Sequence, residues 1–381
     1  MPEQTMPVYL DCNATTPIEP QVLAEVIRFM ELEFGNAGSR THEYGSRAKQ
    51  AVQRAREQVA SVVAASPGEV VFTSGATESN NLAILGLQLA GEQSNRKHAI
   101  SSLVEHKAVL EPLAELQHRG FDVTLLPVTK GGFVEPDELR TALRPDTLLV
   151  SLMHVNNETG VEQPIDEYVS VLTDHQAFFH TDAAQGFGKR IRPLRNQRID
   201  LISVSGHKIY APKGIGALVM RRRGFKAPPL APIVFGGGQE RGLRPGTLPV
   251  QLIVGLGRAS ELAMGEAEKR AAACVAFKER AMTALGPLGV VVNGAPDRTL
   301  PHVVNLSIPG LDAEAVMVAL KDLVALSNGS ACTSANYEPS HVLVAMGLDP
   351  ARIAGALRLS WSHMTVDPYW PQVVSRIRGL Q

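Results

Sequence analysis

The sequence predicts an α/β protein in which a large domain with a mainly parallel sheet is joined by a smaller α/β domain. Three observations carry that expectation. The chain has 381 residues, more than a single core ordinarily serves. From about Gly45 to about Met220 short apolar runs alternate with amphipathic helical stretches, as in parallel-sheet folds. After a long helical stretch the alternation resumes from Val290.

Along the chain, Ala48, Ala51, Val52, Ala55, Val59, Val62 and Val63 follow helical spacing, predicting a helix over 46–65 that Pro67 closes. Strands are expected at 70–73, 98–101, 123–126, 148–154, 177–181, 201–204 and 215–220. Most are short and mainly apolar, the pattern of strands covered on both faces. A Gly-rich segment, 235–249, leads into one long helical stretch over 250–285 that holds Cys274. Strands at 303–307 and 356–361 and helices at 313–320 and 340–346 make up the smaller domain. The expected division is 15–262 for the large domain, with 1–14 and 263–381 forming the small one.

Composition narrows the function. Hydrophobic residues make up 44% and charged residues 20%, which places the chain among globular proteins rather than disordered or fibrous ones. A net charge of −1 gives no global attraction to nucleic acid, and the run Arg221-Arg222-Arg223 is expected as a solvated turn. No stretch approaches the roughly 18 apolar residues of a membrane span, and the opening MPEQTMPVYLDCN lacks the regions of a signal peptide. A cytoplasmic protein without membrane or direct nucleic-acid contacts is expected. The three cysteines, Cys12, Cys274 and Cys332, lie far apart with no CxxC pair, so neither a disulfide framework nor a metal site is suggested.

Ligands of open α/β sheets gather at the carboxyl ends of the strands, which directs attention to three junctions. Ser74-Gly75-Ala76-Thr77-Glu78 runs from a strand into a helix, where free N–H groups and the Thr77 hydroxyl suit a phosphate or simply cap the helix. Phe178-Phe179-His180-Thr181-Asp182 delivers an acid at a strand end. Such a carboxylate keeps the ring nitrogen of a pyridine cofactor protonated, or else caps a helix. Ser205-Gly206-His207-Lys208 ends another strand on a lysine, the residue that pyridoxal binds covalently. The segment Ala211-Pro212-Lys213-Gly214 fits no nucleotide-binding pattern and is expected as a turn with Lys213 exposed.

With these residues in view the chain resembles the cysteine desulfurases of the NifS/IscS type, members of the class V aminotransferases within the pyridoxal-phosphate (PLP) enzymes of fold type I, which are aspartate aminotransferase-like. The matches run in order from Tyr9-Leu10-Asp11 and Asn13-Ala14-Thr15-Thr16-Pro17 through Gly35-Asn36, Thr41-His42, 74–81, Glu105-His106-Lys107, 155–160, 182–185, 205–208 and Gly246-Thr247 to 330–334. The resemblance implies that Lys208 binds PLP, that Asp182 partners the pyridine nitrogen, and that His106 stacks on the ring and moves protons. It implies Gln185 for the phenolic oxygen and Ala76, Thr77, Ser205 and His207 for the phosphate, with Thr247 contributed by the second subunit of a homodimer. Asn157 and Arg358 would grip the substrate carboxylate. Cys332, in a run of small and polar residues, would be the thiol that takes sulfur from L-cysteine as a persulfide. That run is expected as a mobile surface loop, whereas Cys12 and Cys274 are expected to be structural.

The implied activity turns L-cysteine into L-alanine and passes sulfur to an acceptor protein. Housekeeping members continue past the position that matches Gln381, which points to another acceptor, such as the iron–sulfur partner in DNA phosphorothioation. A selenocysteine lyase or another fold type I enzyme would share Lys208 and Asp182 without needing Cys332. Ala211 and Trp361-Ser362-His363 depart from the family pattern, with an expected effect on loop packing near the site.

Overall fold

The computed structural model describes residues 6–329 and 339–381. Its strands, in chain order, are β1 Val8–Tyr9, β2 Val70–Thr73, β3 His98–Ser102, β4 Asp122–Leu126, β5 Thr147–Ser151, β6 Phe178–Asp182, β7 Leu201–Ser205, β8 Gly216–Met220, β9 Val291–Val292, β10 Val303–Ser307, β11 Val324–Ala325 and β12 Ala356–Ser360. Seven of them form the large sheet in the order β2-β8-β7-β6-β5-β3-β4. Strands β7, β6, β5, β3 and β4 run parallel, while β8 is antiparallel to both of its neighbours.

Every residue of β2, β3, β5, β7 and β8 is buried, as mainly apolar strands should be when helices cover both faces, and polar members such as Ser101, which donates to Ser151 O at 2.8 Å, are paired. The edge strand β4 is the more exposed exception. One core lies where the helices Glu43–Val62 and Val250–Gly265 pack on the sheet, and another lies on the opposite side around Leu82, Val109, Leu113 and Leu149.

The helix Glu43–Val62 starts before the expected residue 46 because His42 caps it, its ring accepting from Gly45 N at 3.2 Å. The expected single helix over 250–285 is two helices, Val250–Gly265 and Ala267–Leu285, broken where Glu266 leaves helical geometry at φ −120°, ψ 12°. Arg221 is corrected from a solvated turn to a buried residue that is 2% exposed. Its guanidinium donates to the carbonyls of Val63, Leu194, Asn196 and Ile199, so it closes the ends of several chain segments rather than facing a partner.

A third core unites Leu10 with Cys274, Phe277, Val304, Val316, Leu357, Trp361 and Ile377. It rests on an antiparallel sheet in the order β12-β10-β9, and β1 pairs with β11 in parallel. Trp361 is fully buried there and donates its indole N–H to Cys274 O at 3.1 Å. His363 turns to Glu19 and lies edge-on to Tyr210. None of residues 361–363 lines the cavity described next.

Candidate active site

The carboxyl ends of β2, β6 and β7 open into a cavity of about 460 Å³. Lining it are Ala76 and Thr77, His106, Asp182, Gln185, Ser205, His207 and Lys208, together with Asn157 and Arg358. Ten residues singled out on sequence grounds thus meet at one place, although they are scattered over most of the chain. Thr247 is exposed and is not part of this lining in the single chain. Cys332 lies outside the described residues.

The phosphate-type end is built from the helix Ala76–Leu85, whose first turn points at the cavity with no side chain capping it from Gly75. The close passage of β8 against this turn requires Gly216, because a Cβ there would stand 2.4 Å from Val204 O and 2.6 Å from Gly75 Cα. Glu78 accepts from Ser74 N at 2.7 Å and is held in turn by Arg244 at 2.9 Å, so the carboxylate is turned away from the turn's mouth. Across the cavity, His207 Nδ1 lies 3.1 Å from Thr15 Oγ1. Burial, reinforced by the charge of Lys208, pushes His207 down to about 4 and keeps its ring neutral.

At the floor, Asp182 Oδ1 accepts from Ala184 N at 2.9 Å and Oδ2 from Asn80 Nδ2 at 2.7 Å. Two donors on one carboxylate fix its orientation at the end of β6. Lys208 Nζ donates to the carbonyls of Asn13 and Ala14, the latter at 2.8 Å, and Gln185 Nε2 donates to the same Asn13 carbonyl at 2.9 Å. Gln185 Oε1 is buried without a partner among the described residues. His106 caps the helix Lys107–His118 through Nδ1, which accepts from Ala108 N at 3.0 Å and leaves Nε2 as the protonated nitrogen of the neutral ring.

Arg358 crosses from β12, where its Nη2 bonds Asp11 Oδ1 at 2.6 Å and its Nη1 bonds Asn157 O at 3.1 Å. Its Nε is buried and has no partner among the described residues. A cation anchored in this way can present the remaining guanidinium edge to a carboxylate.

Some participants were missed in the sequence. Asn80 follows Ala76 by one helical turn, so the spacing alone places it on the same face. Asn13 supplies the carbonyl shared by Lys208 and Gln185, and nothing in a sequence marks a backbone acceptor. Lys213 lies in an exposed turn as expected, yet it also lines the cavity rim.

A model of the aminotransferase class-V family matches residues 8–366. The chain belongs to that family, in its cysteine desulfurase branch. It is 46% identical over 363 residues to the cysteine desulfurase of Pongo abelii, covering 95% of this chain and 79% of that one. The crystal structure of DndA from Streptomyces lividans superposes with a TM-score of 0.82 at 51% identity, over 92% of this chain and 98% of that one. SspA in complex with cysteine superposes with a TM-score of 0.83 at 37% identity, covering 94% and 100%.

The cofactor of the family is PLP, and the donor set suits it. The unpartnered Gln185 Oε1, the doubly held Asp182 carboxylate and the open first turn at Ala76 and Thr77 are each the kind of group that a bound pyridoxal phosphate satisfies. Among the described residues there is no cluster that could hold a metal ion, and no helix is long and apolar enough to cross a membrane.

Proposed function

We propose that this chain takes sulfur from L-cysteine, releases L-alanine, and holds the sulfur as a persulfide on Cys332 for transfer to an acceptor. The observation that carries the reading is the convergence of Lys208, Asp182, His106 and Arg358 on one cavity in a chain of the cysteine desulfurase branch. Cysteine as substrate is also supported by the likeness to SspA, whose structure holds cysteine.

Bound PLP supplies an electron sink that makes the α proton of an attached amino acid acidic. Lys208 would hold the cofactor through Nζ, and its amine would serve as the base that moves that proton. Asp182, fixed by Asn80 and Ala184, would keep the pyridine nitrogen protonated, and His106 would help hold the ring. Ala76, Thr77, Ser205 and His207 hold the phosphate and Gln185 the phenolic oxygen. Arg358 and Asn157 orient the substrate carboxylate.

The Cys332 thiolate then takes the sulfur. A new S–S bond forms as the Cβ–S bond of the substrate breaks, and the carbon skeleton leaves as alanine after protonation.

The same reading includes a homodimer in which Thr247 completes the phosphate site of the second subunit. It is supported by the exposed apolar residues Leu23, Ile27, Met30, Leu32 and Phe34 on and just after the helix Pro20–Glu31. It also includes the division into residues 15–262 and residues 1–14 with 263–381, which the separate core around Leu10 and Trp361 supports. A cytoplasmic setting fits the same chemistry. The acceptor is an iron–sulfur protein partner, as in cluster assembly or DNA phosphorothioation, the second being favoured by the likeness to DndA.

Purified protein given PLP should be yellow and should form alanine from L-cysteine, and Lys208→Ala should abolish both properties. A wild-type chain that takes up PLP but leaves L-cysteine unchanged would refute the assignment.

A further inference from the structure

Glu158 belongs to the turn between β5 and the helix Ile165–Leu172, one residue after Asn157. Asn156 stiffens this turn, its Oδ1 accepting from Glu158 N at 2.9 Å, Thr159 N at 2.9 Å and Thr159 Oγ1 at 3.1 Å. The Glu158 side chain is 3% exposed, and burial pushes its carboxyl above the ordinary range. Nothing in the proposed chemistry uses it.

What it touches is informative. Ser340 Oγ donates to Glu158 Oε2 at 2.5 Å, and the same Ser340 caps the helix His341–Ala345 by accepting from Leu343 N at 3.1 Å. On the other side stands Gly329, with φ +86°, where a Cβ would lie 3.2 Å from the same Oε2. Gly329 N is tied to Ser327 Oγ at 3.0 Å, and Ser327 pairs through its backbone with Arg358. Gly329 and Pro339 are the described residues on either side of the segment 330–338, and Ser340 follows Pro339. A single carboxylate oxygen is therefore bonded to one stem at Ser340 and stands beside the other at Gly329, where a side chain would crowd it.

The neighbouring bonds run to the substrate end of the cavity. Asn157 O, one residue from Glu158, accepts from Arg358 Nη1 at 3.1 Å and from Asn13 Nδ2 at 3.0 Å. One rigid turn thus bears on the Arg358 guanidinium and on the stems of the Cys332 segment at once.

We propose that Glu158 is a positioning residue that fixes both stems of the Cys332 segment relative to Arg358, and so sets how often the thiol meets the substrate sulfur. The inference rests on Cys332 being the sulfur carrier. A buried hydrogen-bonded carboxylate is a stiff tether, and small displacements of a reacting group lower rates steeply. Because the oxygen at Glu158 serves as an acceptor, an amide in its place can do the same work.

The test measures single-turnover persulfide formation by PLP-loaded protein on mixing with L-cysteine, beside the cysteine concentration that half-saturates the change in cofactor absorbance. Glu158→Ala should slow persulfide formation by about tenfold or more while that concentration stays the same. Glu158→Gln should stay within about twofold of wild type, because its amide oxygen still accepts from Ser340. Ser340→Ala should also slow the transfer and serves if Glu158→Ala does not fold. Iodoacetamide should alkylate Cys332 at an unchanged rate in Glu158→Ala, which separates a misplaced thiol from an altered one. Wild-type transfer rates in both Glu158→Ala and Ser340→Ala would overturn the inference, as would a loss explained wholly by weaker cysteine binding. A wild-type persulfide found on a cysteine other than Cys332 would remove the underlying reading instead, and mass spectrometry of the loaded wild type decides that first.

Discussion

Asn80 Nδ2 donates to Asp182 Oδ2 at 2.7 Å, and both residues are buried. This bond joins the helix that begins the phosphate-type turn to the strand that delivers the acid, so two ends of the proposed cofactor site are locked together. With Ala184 N, it fixes the orientation of the carboxylate that is proposed to meet the pyridine nitrogen of PLP.

Removing the donor should therefore weaken the site without dismantling it. Asn80→Ala leaves Ala184 N as the remaining donor to Asp182, and a hydrogen bond to a charged group contributes about 1.5–3 kcal/mol. The PLP dissociation constant, measured by equilibrium dialysis, should rise about tenfold or more. An unchanged constant would mean that Asp182 needs no such support.

Glu105 makes a prediction about pH. Its Oε1 accepts from Met153 N at 2.7 Å and Ser102 Oγ at 3.0 Å, Oε2 has no partner among the described residues, and burial pushes the carboxyl up to about 8. An unfolded glutamate titrates near 4.3, so between roughly that pH and about 8 the native state binds more protons than the unfolded one. Stability then falls as pH rises through this window. Glu105→Gln removes the titration, and urea melts should show wild type losing stability relative to the variant from about pH 5 to about pH 8. Parallel pH profiles would contradict the protonated state.

Thr247 stands exposed and outside the cavity of its own chain, which is intelligible if it serves the other subunit. Light scattering should find a dimer, and Thr247→Ala should raise the PLP dissociation constant about tenfold without altering the dimer, because one hydrogen bond to a phosphate is lost. A fully active monomer would refute the shared site.

The strands of the large sheet were legible in the sequence because strands covered on both faces are mostly apolar, as in Leu201-Ile202-Ser203-Val204, where the one polar side chain, Ser203, lies 2.9 Å from His180 Nε2. Lys208 and Asp182 were legible because strand ends are where such folds place their chemistry. The break at Glu266 was missed although Gly265, a poor helix former, stands directly before it, because a single glycine within a long helical pattern is often tolerated. Arg221 misled because a run of arginines reads as solvated, and only the folded chain shows four carbonyls awaiting its guanidinium. Asn80, Asn13 and Glu158 act through partners tens to hundreds of residues away, and spacing cannot display contacts of that kind.

The central claim is that Cys332 carries the sulfur while the cavity at Lys208 binds and activates the substrate. Alanine released from L-cysteine by Cys332→Ser tests it most directly, read beside the cofactor absorbance of the same sample. The variant should stay yellow and still respond to L-cysteine, yet release alanine about a hundredfold or more slowly, because a hydroxyl is a far poorer nucleophile towards sulfur than a thiolate. Cys12→Ser and Cys274→Ser should remain close to wild type, since both thiols are buried and pushed up to about 11. Alanine release at the wild-type rate by Cys332→Ser, or a persulfide on Cys12, would contradict the account.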